Sequence, residues 1–165
     1  MASTYEPIAT QTLGSATSSV TFSSITGSYT DLVLIINGSV TSGNPSVWMR
    51  LNSDSGSNYS FTRVTGNGTS ALSSFEVSQT KANIASAFGM TTTYETNLVV
   101  QIMNYSNTTT NKTTITRANT PSLGTEASVN LYRSTSAITA IEILNSSATN
   151  FSTGSTFTLY GIKAA

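Results

Sequence analysis

Apolar residues in this chain recur at every second position in short runs, and no segment sustains the 3.6-residue period of an amphipathic helix. Successive side chains of a strand point to opposite faces, so this alternation predicts many short strands, each with one apolar face. Val20 and Phe22 flank Thr21, and Val47, Met49 and Leu51 interleave with Trp48 and Arg50. Leu98, Val100 and Ile102, then Val129 and Leu131, Ile141 and Ile143, and Phe157 and Leu159 repeat the pattern. Tyr59, Phe61 and Val64 mark another run, Phe75 and Val77 the next, and Ile115 sits within a Thr-rich one. Residues 31–40 form the most apolar stretch and predict a strand buried on both faces. Residues 5–13 predict a first strand or arm, with Pro7 confining it to a sheet edge. About ten short strands at fairly even spacing predict an all-β fold. We expect a single antiparallel β-sandwich, jelly-roll-like, over residues 1–165, with 1–13 as an N-terminal arm or edge strand.

Turn chemistry separates the runs. Asn37-Gly38 and Asn67-Gly68 predict tight hairpin turns, whose central residues need positive φ. Residues 54–58 and 104–111 read as looser polar loops. Residues 81–88 are the one candidate helix. Asn58-Tyr59-Ser60, Asn104-Tyr105-Ser106 and Asn150-Phe151-Ser152 are equally spaced, but their flanks do not align, so no repeat is inferred.

Only 8% of the residues are charged, against about 25% in a typical soluble domain, and roughly a third are Ser or Thr. Disorder is not the reading, because aromatic and β-branched residues run the length of the chain. Thr fits a pleated sheet, so the solvent-facing positions are expected to be hydroxyls and amides. Seven basic and seven acidic residues balance to a net charge of zero. That argues against nucleic-acid or membrane partners, which call for basic patches, and favours close approach of like copies. Cys and His are absent, which removes disulfides and the thiolate and imidazole ligands of common metal sites. The N-terminal residues lack the basic and apolar regions of a signal peptide, and the longest apolar run, 32–36, is far below a membrane span. Synthesis in a cytoplasm is expected.

Catalysis at neutral pH without His or Cys falls to carboxylates and lysines. Glu6, Asp31, Asp54, Glu76, Glu95, Glu126 and Glu142 are scattered; Glu76 and Glu95 on separate strands are the pair that folding could unite for glycoside hydrolysis. We expect no catalytic residues, no cofactor and no metal. Asp54 to Asn58 has one carboxylate where a calcium loop has several, and reads as a polar hairpin loop. Gly66-Asn67-Gly68 lacks the helix start of a phosphate cradle. Arg50, Arg63, Arg117 and Arg133 fall on strands, where edge protection or intersubunit pairing is the usual role. Trp48 lies out of phase with the apolar positions around it: it is either an interface anchor or part of a second core layer.

Several segments together resemble short virion proteins of tailed bacteriophages, especially those of cyanobacteria and other aquatic bacteria. These are Tyr5-Glu6-Pro7-Ile8-Ala9-Thr10, Val20-Thr21-Phe22-Ser23-Ser24-Ile25 and Gly56-Ser57-Asn58-Tyr59-Ser60. Further along are Met103-Asn104-Tyr105-Ser106-Asn107, Tyr132-Arg133-Ser134-Thr135-Ser136 and Asn150-Phe151-Ser152-Thr153-Gly154. The resemblance implies a virion structural protein that decorates or cements the capsid or sits in a tail appendage. From it follow expected partners, namely further copies of itself as a homotrimer and the phage major capsid protein, and an expected location on the capsid surface after synthesis in the bacterial host. Expected interface residues are Tyr5, Pro7, Ile8, Trp48, Arg50, Tyr132 and Arg133. The alternative is a tail-fibre or adhesin module binding host-surface glycan, with Trp48, Tyr59 or Tyr132 as stacking platforms.

Overall fold

A computed structural model describes residues 4–147 and 149–163. Among them lie twelve strands and no helix: β1 (Tyr5–Thr12), β2 (Ser19–Phe22), β3 (Asp31–Gly38), β4 (Val47–Leu51), β5 (Tyr59–Gly66), β6 (Ala71–Gln79), β7 (Ala82–Ala85), β8 (Thr96–Met103), β9 (Lys112–Thr120), β10 (Gly124–Tyr132), β11 (Ile141–Asn145) and β12 (Thr156–Ile162). They form two antiparallel sheets of unequal width. The wide sheet has the order β1-β12-β3-β8-β9-β10-β5-β6 and the narrow one β2-β11-β4-β7. The all-β sandwich expected from alternation is the fold, with twelve strands in place of about ten.

In β3, β8, β12 and the narrow sheet the core is where alternation puts it. Leu32, Leu34 and Ile36 of β3, Leu98, Val100 and Ile102 of β8, and Phe157 and Leu159 of β12 line the inner face of the wide sheet. Val20, Phe22, Val47, Met49, Leu51, Ile141 and Ile143 meet them from the narrow sheet. Phe151 packs edge-on against Phe157 with ring centres 5.1 Å apart and closes one end. β3 is buried on one face, with Val33 also covered, while Ile35 is exposed; it is not buried throughout.

Two local expectations fail for identifiable reasons. The 81–88 stretch holds β7 instead of a helix. Eight residues are too few for a helix to persist without strong packing, and the Asn83 backbone is captured by β10 side chains: its N–H donates to Asn130 Oδ1 (2.8 Å) and its carbonyl accepts from Asn130 Nδ2 (2.9 Å). Asn37-Gly38 is not a turn but the end of β3, paired with β8 and β12. Gly is needed there for close approach, since a Cβ would sit 2.4 Å from Ser155 Oγ. Asn67-Gly68 does lie in the β5–β6 connection, but only Gly68 has positive φ, at 85°. Asn67 organises a four-residue loop, its Oδ1 accepting from the N–H groups of Thr69 (2.9 Å) and Ser70 (2.8 Å).

Candidate interaction surface

The two halves of the wide sheet treat alternation in opposite ways. In β3 and β8 the inward face carries Leu32, Leu34, Ile36, Leu98, Val100 and Ile102. In β9 and β10 apolar residues face outward: Thr114, Thr116, Glu126, Ser128 and Asn130 are buried, while Ile115, Val129 and Leu131 are exposed. Thr116, Glu126, Ser128 and Asn130 bond to β7 and the residues that follow it, whereas Thr114 Oγ1 is buried without a partner. Glu126 accepts from Asn83 Nδ2 and from the backbone N–H groups of Ser86 (3.0 Å) and Ala87 (2.7 Å). Thr116 Oγ1 and Ser128 Oγ, with Asn130 Nδ2, all donate to the Asn83 carbonyl. Buried polar groups are tolerable when bonded in this way. This layer docks β7 and leaves the apolar positions of β9 and β10 no direction but outward.

Register carries the exposed face across neighbouring strands. Ile115 lies beside Val129, Val129 beside Thr62, and Thr62 beside Phe75. One row along, Ala127 lies between Arg117 and Val64. Phe75 is 72% exposed, Val77 60% and Val129 50%. An open depression of about 700 Å³ lies on this face, with Val64, Val99 and Ala127 as its apolar floor and Arg117, Asn97 and Asn119 among its polar lining. Scattered apolar residues on a surface are ordinary, whereas a contiguous patch rimmed by polar groups marks an interaction site. The edge strand β6 continues the patch.

The expected interface residues do not share a surface. Tyr5, Pro7 and Ile8 lie on β1, an edge strand paired with β12, and Ile8 packs against the core. Residues 5–12 are therefore sheet, not a free arm. Trp48 and Arg50 are half-buried on the outer face of the narrow sheet. Arg50 lies 3.6 Å from Glu142, and the Trp48 ring is flanked by Lys81 Nζ at 5.0 Å and by Phe61 at 6.2 Å. Burial, and then the charge of Arg50, lower the Lys81 pKa from its ordinary value. Tyr132 is buried and stacks on the equally buried Tyr59 at 4.7 Å, so neither ring is an exposed platform. Burial pushes the Tyr59 phenol well above its ordinary pKa. Arg133 is spent on its own fold, donating to the carbonyls of Ser57 (3.0 Å) and Tyr59 (3.3 Å) and to Ser60 Oγ (3.1 Å).

The other sequence candidates are also accounted for. Glu76 lies on β6 and Glu95 immediately precedes β8, four strand spacings away or about 19 Å, beyond the reach of a glycosidase carboxylate pair. Asp54 accepts from the Gly56 N–H (2.7 Å) and from Asn58 Nδ2 (2.8 Å). The Asn58 bond, followed by the Gly56 one, holds its carboxyl below the ordinary value. The loop is polar as expected from sequence, but it is not a hairpin: it crosses from β4 of the narrow sheet to β5 of the wide one. Among the described residues no three His, Cys, Asp or Glu side chains gather as metal ligands, and no helix is long and apolar enough to cross a membrane. Comparison with protein-family models, with curated proteins and with solved structures returns no match.

Proposed function

We propose that this chain is a structural protein of a tailed-phage virion, which decorates and cements the capsid by binding major capsid protein subunits through the outer face of β9, β10 and β5. The observation that supports this reading is the inverted polarity of that half-sheet, with Ile115, Val129 and Val64 in solvent over a buried polar layer. A partner that covers these side chains recovers hydrophobic free energy the free chain leaves unused, about 25 cal/mol per Å². The neutral net charge fits a protein packed at high density on a shell. The resemblance to short virion proteins supplies the choice of particle. The glycan-binding alternative has lost Tyr59 and Tyr132 to the core and keeps Trp48, whose ring is already flanked by Lys81 and Phe61.

Cryo-electron microscopy of the assembled virion tests the proposal. Density for this domain on the head, with Val129 and Leu131 against the shell, is expected; density in the tail alone overturns it. A complementary assay measures binding to heads that lack the protein. Val129→Asp with Leu131→Asp is expected to weaken binding tenfold or more, since each places an unpaired charge in a desolvated contact.

A further inference from the structure

The two edges of the wide sheet are built differently. β1 carries Pro7, which has no N–H to offer, a register shift between Pro7 and Ala9, and an ion pair from Glu6 to Lys163 at 2.9 Å. Proline, bulges and charge are the usual means of keeping an edge from pairing with another chain. β6 (Ala71–Gln79) has no Pro, Lys or Arg, and Glu76 is its single charge. It also carries exposed apolar side chains on both faces. Phe75 and Val77 are exposed on the outer one, and Leu72, on the opposite one, is 68% exposed over an open groove of about 400 Å³. A nine-residue edge with free backbone groups and uncovered apolar side chains is a template for strand addition.

We propose that β6 pairs antiparallel with β6 of a second copy, about a two-fold axis through Phe75. The strand is self-complementary in this register. Its centre is Phe75, so the two rings adjoin across the axis, and aromatic pairs stabilise a sheet. Val77 falls opposite Ser73 of the other copy, and Glu76 falls opposite Ser74 instead of opposite its own counterpart. Ser78, with φ of 55°, lies where the β5–β6 register shifts and ends the regular run after Val77. The other arrangement, β6 on β1 of a neighbour, meets Pro7 and the bulge. The pair joins two wide sheets edge to edge and makes one apolar face of their two patches. Edge pairing covers the outer backbone of β6 and the flanks of Phe75, Val77 and Leu72 and leaves the rows on β5 and β10 bare. That is less than the roughly 800 Å² per partner of a standard interface, so the association is weak and concentration-dependent. It is a two-fold contact, not the three-fold one expected from sequence, and it deepens the assembly reading by naming one partner.

The absence of cysteine makes the test clean. Phe75→Cys, at the self-paired position, is expected to oxidise to a disulfide-linked dimer, because cross-axis Cα atoms there fall within disulfide reach. Thr10→Cys, on the guarded β1 edge, is expected to stay monomeric. Sedimentation of the unaltered protein up to about 1 mM is expected to show a monomer–dimer equilibrium. Phe75→Lys is expected to abolish it with the thermal midpoint unmoved, the side chain being exposed in the monomer. A monomer throughout, a stable trimer, or equal cross-linking at both positions overturns the pairing. These measurements contain no capsid, so the pairing can fail while binding to heads survives, and the reverse.

Discussion

The half of the wide sheet ending in β1 and the half ending in β6 share one backbone ladder but solve different problems. In the first, Leu34, Val100 and Leu159 are fully buried, the outer face exposes Tyr5 and Ile35 but covers Val33, and the edge is guarded by Pro7. In the second, Asn130, Ser128 and Glu126 are inside, Val129 and Val64 are outside, and the edge is open. The first half stabilises the monomer. The second is held by hydrogen bonds to β7 and leaves its hydrophobic surface in solvent, the surface that the proposed function assigns to a partner. A sheet can thus carry a core and an exposed apolar face side by side when a buried polar layer sets the direction of alternation.

The largest effect that separates the halves is expected on truncation of the first. Leu34→Ala removes a fully buried side chain and is expected to cost about 2–5 kcal/mol, read as a lower urea midpoint. In the second half the comparable loss comes from a polar residue. Glu126→Ala leaves Asn83 Nδ2 and the N–H groups of Ser86 and Ala87 without their acceptor, and is expected to cost about 2–3 kcal/mol. Should Glu126→Ala be neutral, the polar layer does not hold β7 and the comparison collapses.

The next effect is one of pH. Tyr59 donates to the Leu51 carbonyl (3.3 Å) and accepts from the Leu51 N–H (3.0 Å). Burial raises its pKa above the ordinary 10.0, so the folded chain keeps a proton that the unfolded chain gives up. The stabilisation is fully present below pH 10 and is lost as the pH rises from there through the folded value. Stability measured from pH 8 to 11 is expected to fall above pH 10, less steeply in Tyr59→Phe. The smallest effect is expected at Val129→Thr on the open face, within about 0.5 kcal/mol of the parent. A loss comparable to that of Leu34→Ala would mean that Val129 already belongs to a core.

The fold was legible because alternation and turn residues repeat along the whole chain, and Val47, Met49 and Leu51 or Leu98, Val100 and Ile102 face where their period puts them. The candidate site was less so, for a physical reason. Alternation in Glu126 to Leu131 separates two faces but does not say which is inside. Only β7, which itself reads as helical in isolation, decides that the polar one is. Tyr132, an expected interface residue, is instead buried against the Tyr59 ring. The one signal available was that Val129 and Leu131 are out of phase with Tyr132 on the same strand: two apolar sets on opposite faces cannot share one core.

The central claim is that the outer face of β9, β10, β5 and β6 is covered in the working assembly. Carbene footprinting of the free chain and of the assembled particle, resolved by residue, tests it most directly. The account predicts strong protection of Phe75, Val129 and Leu131 on assembly, with Thr10 on the guarded edge labelled equally in both states. Equal labelling of Phe75, Val129 and Leu131 in the two states would contradict it.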